Sequence, residues 1–324
     1  VRYVVVGAGA VGGVIGGRLH AAGLPVVLVA RGAHLDALRR DGLRLETPDG
    51  PEHHDIEVVG SPAEADLRPD DVVLLTVKSQ DTDAALDQLV AAAPPELEVV
   101  CAQNGVDNEP RALRRFRNVH GMCVVLPAAF TEPGVLYQFS GPQAGALDVG
   151  RFPSGADERT EAIAADMRRA SFGSVADPAI MRAKHRKLLM NLGNALDALC
   201  GWESRGTELY QRAIAEGQAC LDVAGIDVQT PEEESVRRDG VRMLPAGGVT
   251  HSGSSTKQSL ERGTGSVETD HLNGEIVLLG RLHGVPTPVN EALQLTMAAA
   301  VREGRGAGSV GTDEIEALAE RLAR

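Results

Sequence analysis

Short apolar runs alternate with amphipathic stretches through the first half of the chain. Arg2–Val6, Val26–Ala30, Val72–Val77 and Val99–Ala102 are aliphatic or β-branched runs of strand length. Such continuous runs suit strands buried on both faces. Between them, Val11–Ala22 and Asp81–Ala91 carry apolar positions at helical spacing. This order predicts βαβ units and a mainly parallel sheet. Leu43–Val59 reads as strand pieces around the turn Pro48-Asp49-Gly50. Val119–Leu126, Val135–Phe139 and Ala146–Val149 have the Gly-bounded, β-branched look of later antiparallel strands. A helix over Asp157–Arg169 and a strand at Ser174–Ala176 close this half.

From Pro178 the period becomes helical. Helices are expected over Ala179–Leu199, Thr207–Ala224, Pro231–Leu244, Val267–His283, Asn290–Arg302 and Asp313–Leu322. Gly304–Gly311 predicts a flexible connector. The change at Asp177-Pro178 therefore divides the chain into an α/β domain, 1–177, and an all-helical domain, 178–324. The length of 324 residues suits two domains.

Composition narrows the function. The formal net charge is −13, a poor match to nucleic-acid phosphates. No apolar run reaches the roughly 18 residues of a membrane span. The first residues already read as strand rather than signal peptide, so a cytoplasmic location is expected. Cys101, Cys123, Cys200 and Cys220 are scattered, which predicts reduced, mostly buried thiols and no metal site. His53-His54 reads as a solvated turn.

The strongest local signal is Gly7-Ala8-Gly9-Ala10-Val11-Gly12, which joins the first strand to the first helix. Gly7 permits the turn, Gly9 lets the backbone approach a pyrophosphate, and Gly12 lets helix and strand pack closely. The free N–H groups at Ala10 and Val11 would complete the anion cradle. An Asp or Glu usually ends the second strand when the ligand is NAD. Here Arg31 follows Ala30, and a guanidinium suits the extra 2′-phosphate of NADP. Lys78 and Asn104 fall at the carboxyl ends of two further strands, where ligands of open α/β sheets bind. Each can equally be a surface loop residue.

In the helical half, the helix is apolar nearly all round from Leu188 to Leu199, and Lys187, Asn191 and Asn194 stand at i, i+4 and i+7. About 100° per residue puts them on one face. Such a stripe either satisfies a structural network or lines a cleft. A partly buried lysine can deliver a proton near neutral pH. Glu268 is placed in the first turn of a helix continued by Leu272, Ile276 and Leu279. It can be a simple helix N-terminal charge or a site carboxylate.

Taken together and in order, these motifs resemble the ketopantoate reductase (2-dehydropantoate 2-reductase) family across essentially the whole chain. Beside those above, the resemblance rests on Asn104-Gly105, Lys187-Leu188-x-x-Asn191, Glu268-x-Asp270-x-x-Asn273-Gly274 and His283-Gly284-Val285-Pro286-Thr287-Pro288-x-Asn290. It implies a Rossmann-type N-terminal domain, a helical substrate and dimerisation domain, NADPH, and hydride transfer to a 2-oxo acid in pantothenate biosynthesis. It further implies Lys187 as general acid and Glu268 as a carboxylate that holds substrate or lysine. Asn104 and Asn191 would position substrate, with Asn194 beside them. A serine of Ser252–Ser259, Ser255 first and Ser259 next, would bind the carboxylate. A homodimer is in keeping with such enzymes. Three features depart from the family: Ala195 stands where a second asparagine is common, one extra residue separates Ser255 from Glu268, and Leu126–Phe130 differs. Two alternatives remain, a 3-hydroxyacid-dehydrogenase-like oxidoreductase and a non-catalytic NADP(H) sensor.

Overall fold

The computed structural model describes residues 1–251, 253–263 and 265–324. Its elements are, in chain order, β1 (Tyr3–Val6), α1 (Ala10–Ala21), β2 (Val26–Val29), α2 (Gly32–Asp41), β3 (Leu43–Thr47), β4 (Gly50–His54), β5 (Glu57–Val59), β6 (Val72–Leu75), α3 (Thr82–Ala92), β7 (Glu98–Cys101), α4 (Asn108–Leu113), β8 (Asn118–Val125), β9 (Ala128–Glu132), β10 (Val135–Gln138), β11 (Ser140–Pro142), β12 (Ala146–Arg151) and α5 (Glu158–Arg169). There follow α6 (Ile180–Asn191), α7 (Gly193–Cys200), α8 (Glu208–Val223), α9 (Pro231–Arg238), β13 (Val241–Met243), α10 (Ser255–Glu261), α11 (Asn273–His283), α12 (Pro288–Glu303) and α13 (Thr312–Leu322).

The chain forms two compact units. The first comprises Val1–Asn104, Asn108–Lys184 and Thr230–His251, and the second Gly105–Asp107, His185–Gln229 and Ser252–Arg324. In the first, a seven-stranded sheet runs β12-β8-β7-β6-β1-β2-β5. Every neighbouring pair is parallel except β12 with β8. The chain leaves β1 on one side for β2 and β5, then crosses to β6 on the other. That reversal is where open α/β sheets bind ligands.

Alternation along the strands fills both faces. Val5, Leu28, Leu74 and Val100 pack with Val14, Ile15 and Leu19 of α1. Val4, Val27, Val73 and Val99 pack on the other side with Leu86 and Leu89 of α3. Burying each such side chain contributes about 1.5–3 kcal/mol. A second sheet, β4-β3-β10-β9, lies against α1. There Leu136 of β10 occupies the space a side chain at Gly13 would need.

The second unit is helical around Leu196, Leu199, Leu209, Leu293, Met297 and Ile315. Among the described residues of the chain, no helix is long and apolar enough to cross a membrane.

Several expectations need correction. The later strands pair antiparallel as expected, β8 with β12 and β10 with β9, but each is also parallel to a second neighbour, β8 to β7 across the α4 crossover and β10 to β3. Ser174–Ala176 lies in a segment that makes only isolated bridges with β12. The helix expected over Ala179–Leu199 breaks into α6 and α7 at Leu192. Pro231–Leu244 is helical only to Arg238, where Asp239-Gly240 ends it, and continues as β13. Gly304–Gly311 is not a loose connector: Gly308 and Val310 donate backbone bonds to Ala198 (3.0 Å) and Leu199 (3.0 Å), the carbonyls that α7 leaves open. His54 is buried in β4, 3.1 Å from Glu52, rather than in a solvated turn.

A single cut at Asp177 does not describe the units. The first unit holds α6 through Lys184, whose buried ammonium meets the buried Glu109 carboxylate at 2.5 Å and the Gln103 carbonyl at 2.9 Å. It also holds 230–251. There β13 pairs with β11, and Arg237 reaches Asp148 (2.6 Å) and Asp177 (3.3 Å).

Candidate active site

The glycine turn follows β1 at the reversal of strand order. Gly7 has φ +106°, which favours glycine, and a Cβ there would lie 2.8 Å from the Val77 amide nitrogen. At Gly12 a Cβ would strike the Gly7 carbonyl and the Thr76 hydroxyl. At Gly9 it would meet nothing within 4 Å. Two glycines are thus required by packing, and the third opens the backbone to a visitor. The first amides of α1 have no intrahelical acceptor. No side chain caps that helix, and its first turn carries no acidic group. The donor set and the open cradle fit a dinucleotide pyrophosphate.

Thr76, which the sequence reading passed over, pins this turn. Its hydroxyl lies 3.0 Å from the Val6 carbonyl and 2.8 Å from that of Gly7. Only its place at the end of a strand pointed to it.

Arg31 occupies the N-cap position of α2, exposed, with Nη2 donating to Gln88 Oε1 at 3.3 Å. Lys78 stands at the N-cap of a short 3₁₀ helix, Ser79–Asp81. Asn104 is half-buried after β7. A buried amide network sets these two loops. Gln103 donates to the Val77 carbonyl (2.7 Å) and to Thr82 Oγ1 (2.9 Å), and Asn108 donates to the Asn104 carbonyl (3.0 Å). Gly7, Gly9, Gly12, Ala10, Val11, Arg31, Lys78 and Asn104 therefore gather at the carboxyl ends of β1, β2, β6 and β7.

In the second unit, Lys187 and Asn191 are half-buried on the last turn of α6, and Asn194 is buried in α7. Asn191 Nδ2 is buried and has no hydrogen-bond partner among the described residues. Asn194 is committed: its Oδ1 accepts from Arg205, whose guanidinium lies over Trp202 (5.1 Å) and Tyr210 (5.9 Å). The break between the helices is braced by Asn273, which donates to the Leu192 carbonyl (3.1 Å) and to Asn290 Oδ1 (3.0 Å). Asn290 in turn donates to Glu216 at 2.8 Å. Glu216 accepts the first amides of α12 from Val289 and Asn290, and burial raises its carboxyl above the ordinary range. Two motif asparagines are thus structural braces.

Glu268 is buried, but in a 3₁₀ turn, Glu268–His271, that precedes α11 rather than in the helix itself. Ser254 caps α10, accepting the Lys257 amide (3.2 Å) and donating to the Asn194 carbonyl (3.2 Å). Ser255 is the first residue of α10, half-buried. Ser259 is buried and donates to the Ser255 carbonyl at 3.0 Å. Ser252, the first of the candidate serines, lies outside the described residues. Among the described residues no group of His, Cys, Asp and Glu could hold a metal ion, and the four cysteines are unpaired thiols.

Two family models, ketopantoate reductase PanE/ApbA and ketopantoate reductase PanE/ApbA C terminal, match residues 3–154 and 179–300. The chain belongs to the ketopantoate reductase family. It is therefore an oxidoreductase acting on CH–OH groups, in a family that uses pyridine nucleotides. Similar relatives include a 2-dehydropantoate 2-reductase of Mesorhizobium japonicum, 31% identical, covering 94% of this chain and 99% of the relative. One of Halobacterium salinarum is 28% identical over 94% of this chain and 100% of the relative. A ketopantoate reductase structure from Ralstonia eutropha superposes with a TM-score of 0.78 at 27% identity, covering 94% of this chain and 100% of that one. D-mandelate dehydrogenase with NADH and anilino(oxo)acetate shares the fold, with a TM-score of 0.81 at 19% identity, covering 94% and 100%.

Proposed function

We propose that this ketopantoate reductase family member reduces a 2-oxo acid with NADPH, 2-dehydropantoate being the first candidate, and that Lys187 is its general acid. The observation that carries the reading is the polar stripe at the α6–α7 break. There Lys187 and Asn191 flank the buried Leu188, Leu189 and Leu192, and Asn191 Nδ2 lacks an acceptor among the described residues. A buried donor left unpaired costs about 1–3 kcal/mol. A substrate oxygen would relieve that cost.

When bound, the reduced dinucleotide would supply a hydride for the keto carbon. The C=O π electrons move onto oxygen, and Lys187 Nζ donates the proton that makes the hydroxyl. Before transfer its positive charge stabilises the developing alkoxide. Asn191 holds the substrate oxygen or the lysine, and Glu268 accepts from a substrate hydroxyl or positions Lys187. Asn104 orients the acceptor from the cofactor side, and Ser255 donates to the carboxylate. Gly9, Ala10 and Val11 would hold the pyrophosphate of the dinucleotide and Arg31 the 2′-phosphate, with Lys78 adding positive charge. These cations give the local field that an anionic ligand needs despite a net charge of −13.

The test is loss of reduced-nicotinamide absorbance with 2-dehydropantoate, run with NADPH, with NADH, and with Lys187→Ala. Turnover should prefer NADPH and fall by about 10³-fold or more in the variant, while NADPH binding persists. NADPH binding without turnover of any 2-oxo acid would overturn the reaction. A clear preference for NADH would overturn the role of Arg31.

A further inference from the structure

The turn after β1 is held from three sides. From β2, the Val29 carbonyl accepts the amides of Gly7 (3.2 Å) and Ala8 (3.1 Å). From beyond β6, Thr76 holds the Gly7 carbonyl. The third hold is a side chain, His34 on the first turn of α2. Its Nε2 lies 2.7 Å from the Ala8 carbonyl oxygen, and its Nδ1 lies 3.0 Å from the amide nitrogen of Gly134.

The two contacts have opposite sense. An amide N–H can only donate, so Nδ1 accepts and carries no proton. A carbonyl oxygen can only accept, so Nε2 carries the proton. Together they fix the neutral Nε2–H tautomer. Burial also pushes the imidazole below its ordinary range, and the Phe130 ring meets it edge-on at 4.8 Å. Gly134 is the left-handed residue, φ +85°, that joins β9 to β10. The same hairpin sends Leu136 against α1 at Gly13.

Ala8 lies between the two glycines, and its carbonyl belongs to the peptide plane that ends on the Gly9 nitrogen. The Gly9 amide at one end of that plane donates to the Gly7 carbonyl (2.8 Å), and His34 holds the oxygen at the other end, so the two together set the plane of the backbone that faces open space. We propose that His34 is a positioning residue for the pyrophosphate of the dinucleotide: it sets the Ala8–Gly9 peptide and ties it to the β9–β10 hairpin. This rests on the dinucleotide reading given above.

The test measures binding of two probes, NADPH and adenosine 2′-phosphate, which bears the ribose phosphate but no pyrophosphate. His34→Ala should weaken NADPH by about tenfold, the equivalent of one lost hydrogen bond, and leave adenosine 2′-phosphate within about twofold. KM for NADPH should rise while kcat at saturation holds. His34→Gln has an amide long enough to reach the Ala8 carbonyl, so it should recover most of the affinity. His34→Asn keeps only an acceptor near Gly134 and should not. Arg31→Ala supplies the opposite pattern, weakening both probes. In the unaltered chain, NADPH should slow hydrogen exchange at the Gly134 amide together with Gly9–Gly13.

Unchanged NADPH affinity in His34→Ala, equal losses for both probes, or no exchange change at Gly134 would each overturn the role of His34 while leaving the cofactor reading intact. An unaltered chain that binds neither NADPH nor NADH would overturn both.

Discussion

Gly9 and Gly12 stand in the same motif but answer to different demands. A methyl group at Gly12 meets the Gly7 carbonyl and the Thr76 hydroxyl, whereas at Gly9 it meets open space. Gly12→Ala should therefore lower the melting temperature, on the order of 1–3 kcal/mol of overpacking strain. Gly9→Ala, with φ −74°, should melt like the parent and lose NADPH affinity instead. Thermal denaturation with and without NADPH separates the two, and equal melting losses would show that packing alone selected both glycines. His34 makes a pH prediction. Its folded pKa lies below the ordinary 6.5 because of burial, opposed only by the Ala8 carbonyl. A histidine held neutral contributes stability above its unfolded pKa and loses it as pH falls through the lower folded one. The stability advantage over His34→Gln should thus be full near pH 8 and shrink below about pH 6.5. Denaturant titrations across that range check the sign. The sequence displayed the glycines and Arg31 because their spacing is local. It hid His34 and Thr76 because their partners are set by the tertiary fold.

At the scale of elements, the joint between α6 and α7 adjoins the proposed acid Lys187. Asn273 Nδ2 donates to the joint's backbone carbonyl at Leu192 and to Asn290 Oδ1. Asn273→Leu would leave the buried Asn290 Oδ1 without its Asn273 donor, at about 1–3 kcal/mol. With Lys187 as the proposed acid, it should also cut turnover, because a small displacement of that lysine would spoil the geometry of proton transfer. Unchanged melting and rate would show that the brace is dispensable. Periodicity displayed one long helix here, since Leu192 keeps helical dihedrals, φ −59° and ψ −28°. What it could not display is that the break falls beside the polar stripe. Glu268 shows the same limit: its place in the sequence was right for an acid near a helix start, yet the residue lies in a separate 3₁₀ turn.

For the whole molecule, the two units exchange chain more than once. Residues 1–177 alone would lack the first half of α6, α9 and β13. Glu109 would then be buried without Lys184, and Asp148 without Arg237. Removing one member of a buried ion pair costs about 3–5 kcal/mol. The isolated segment 1–177 should therefore melt without cooperativity, and a sharp calorimetric transition would show these anchors to be unnecessary. The sequence by itself determined the parallel α/β half, the helical half, the glycine turn and the candidate cation at Arg31. Each of these rests on a period of two or 3.6 residues, or on a motif within one turn. Only the tertiary structure decided that 230–251 belongs with the sheet, that 304–311 closes the end of α7, and that Asn194 is engaged by Arg205. Those outcomes depend on which buried charge or open carbonyl a segment reaches, and its partner lies too far along the chain for any local pattern to record.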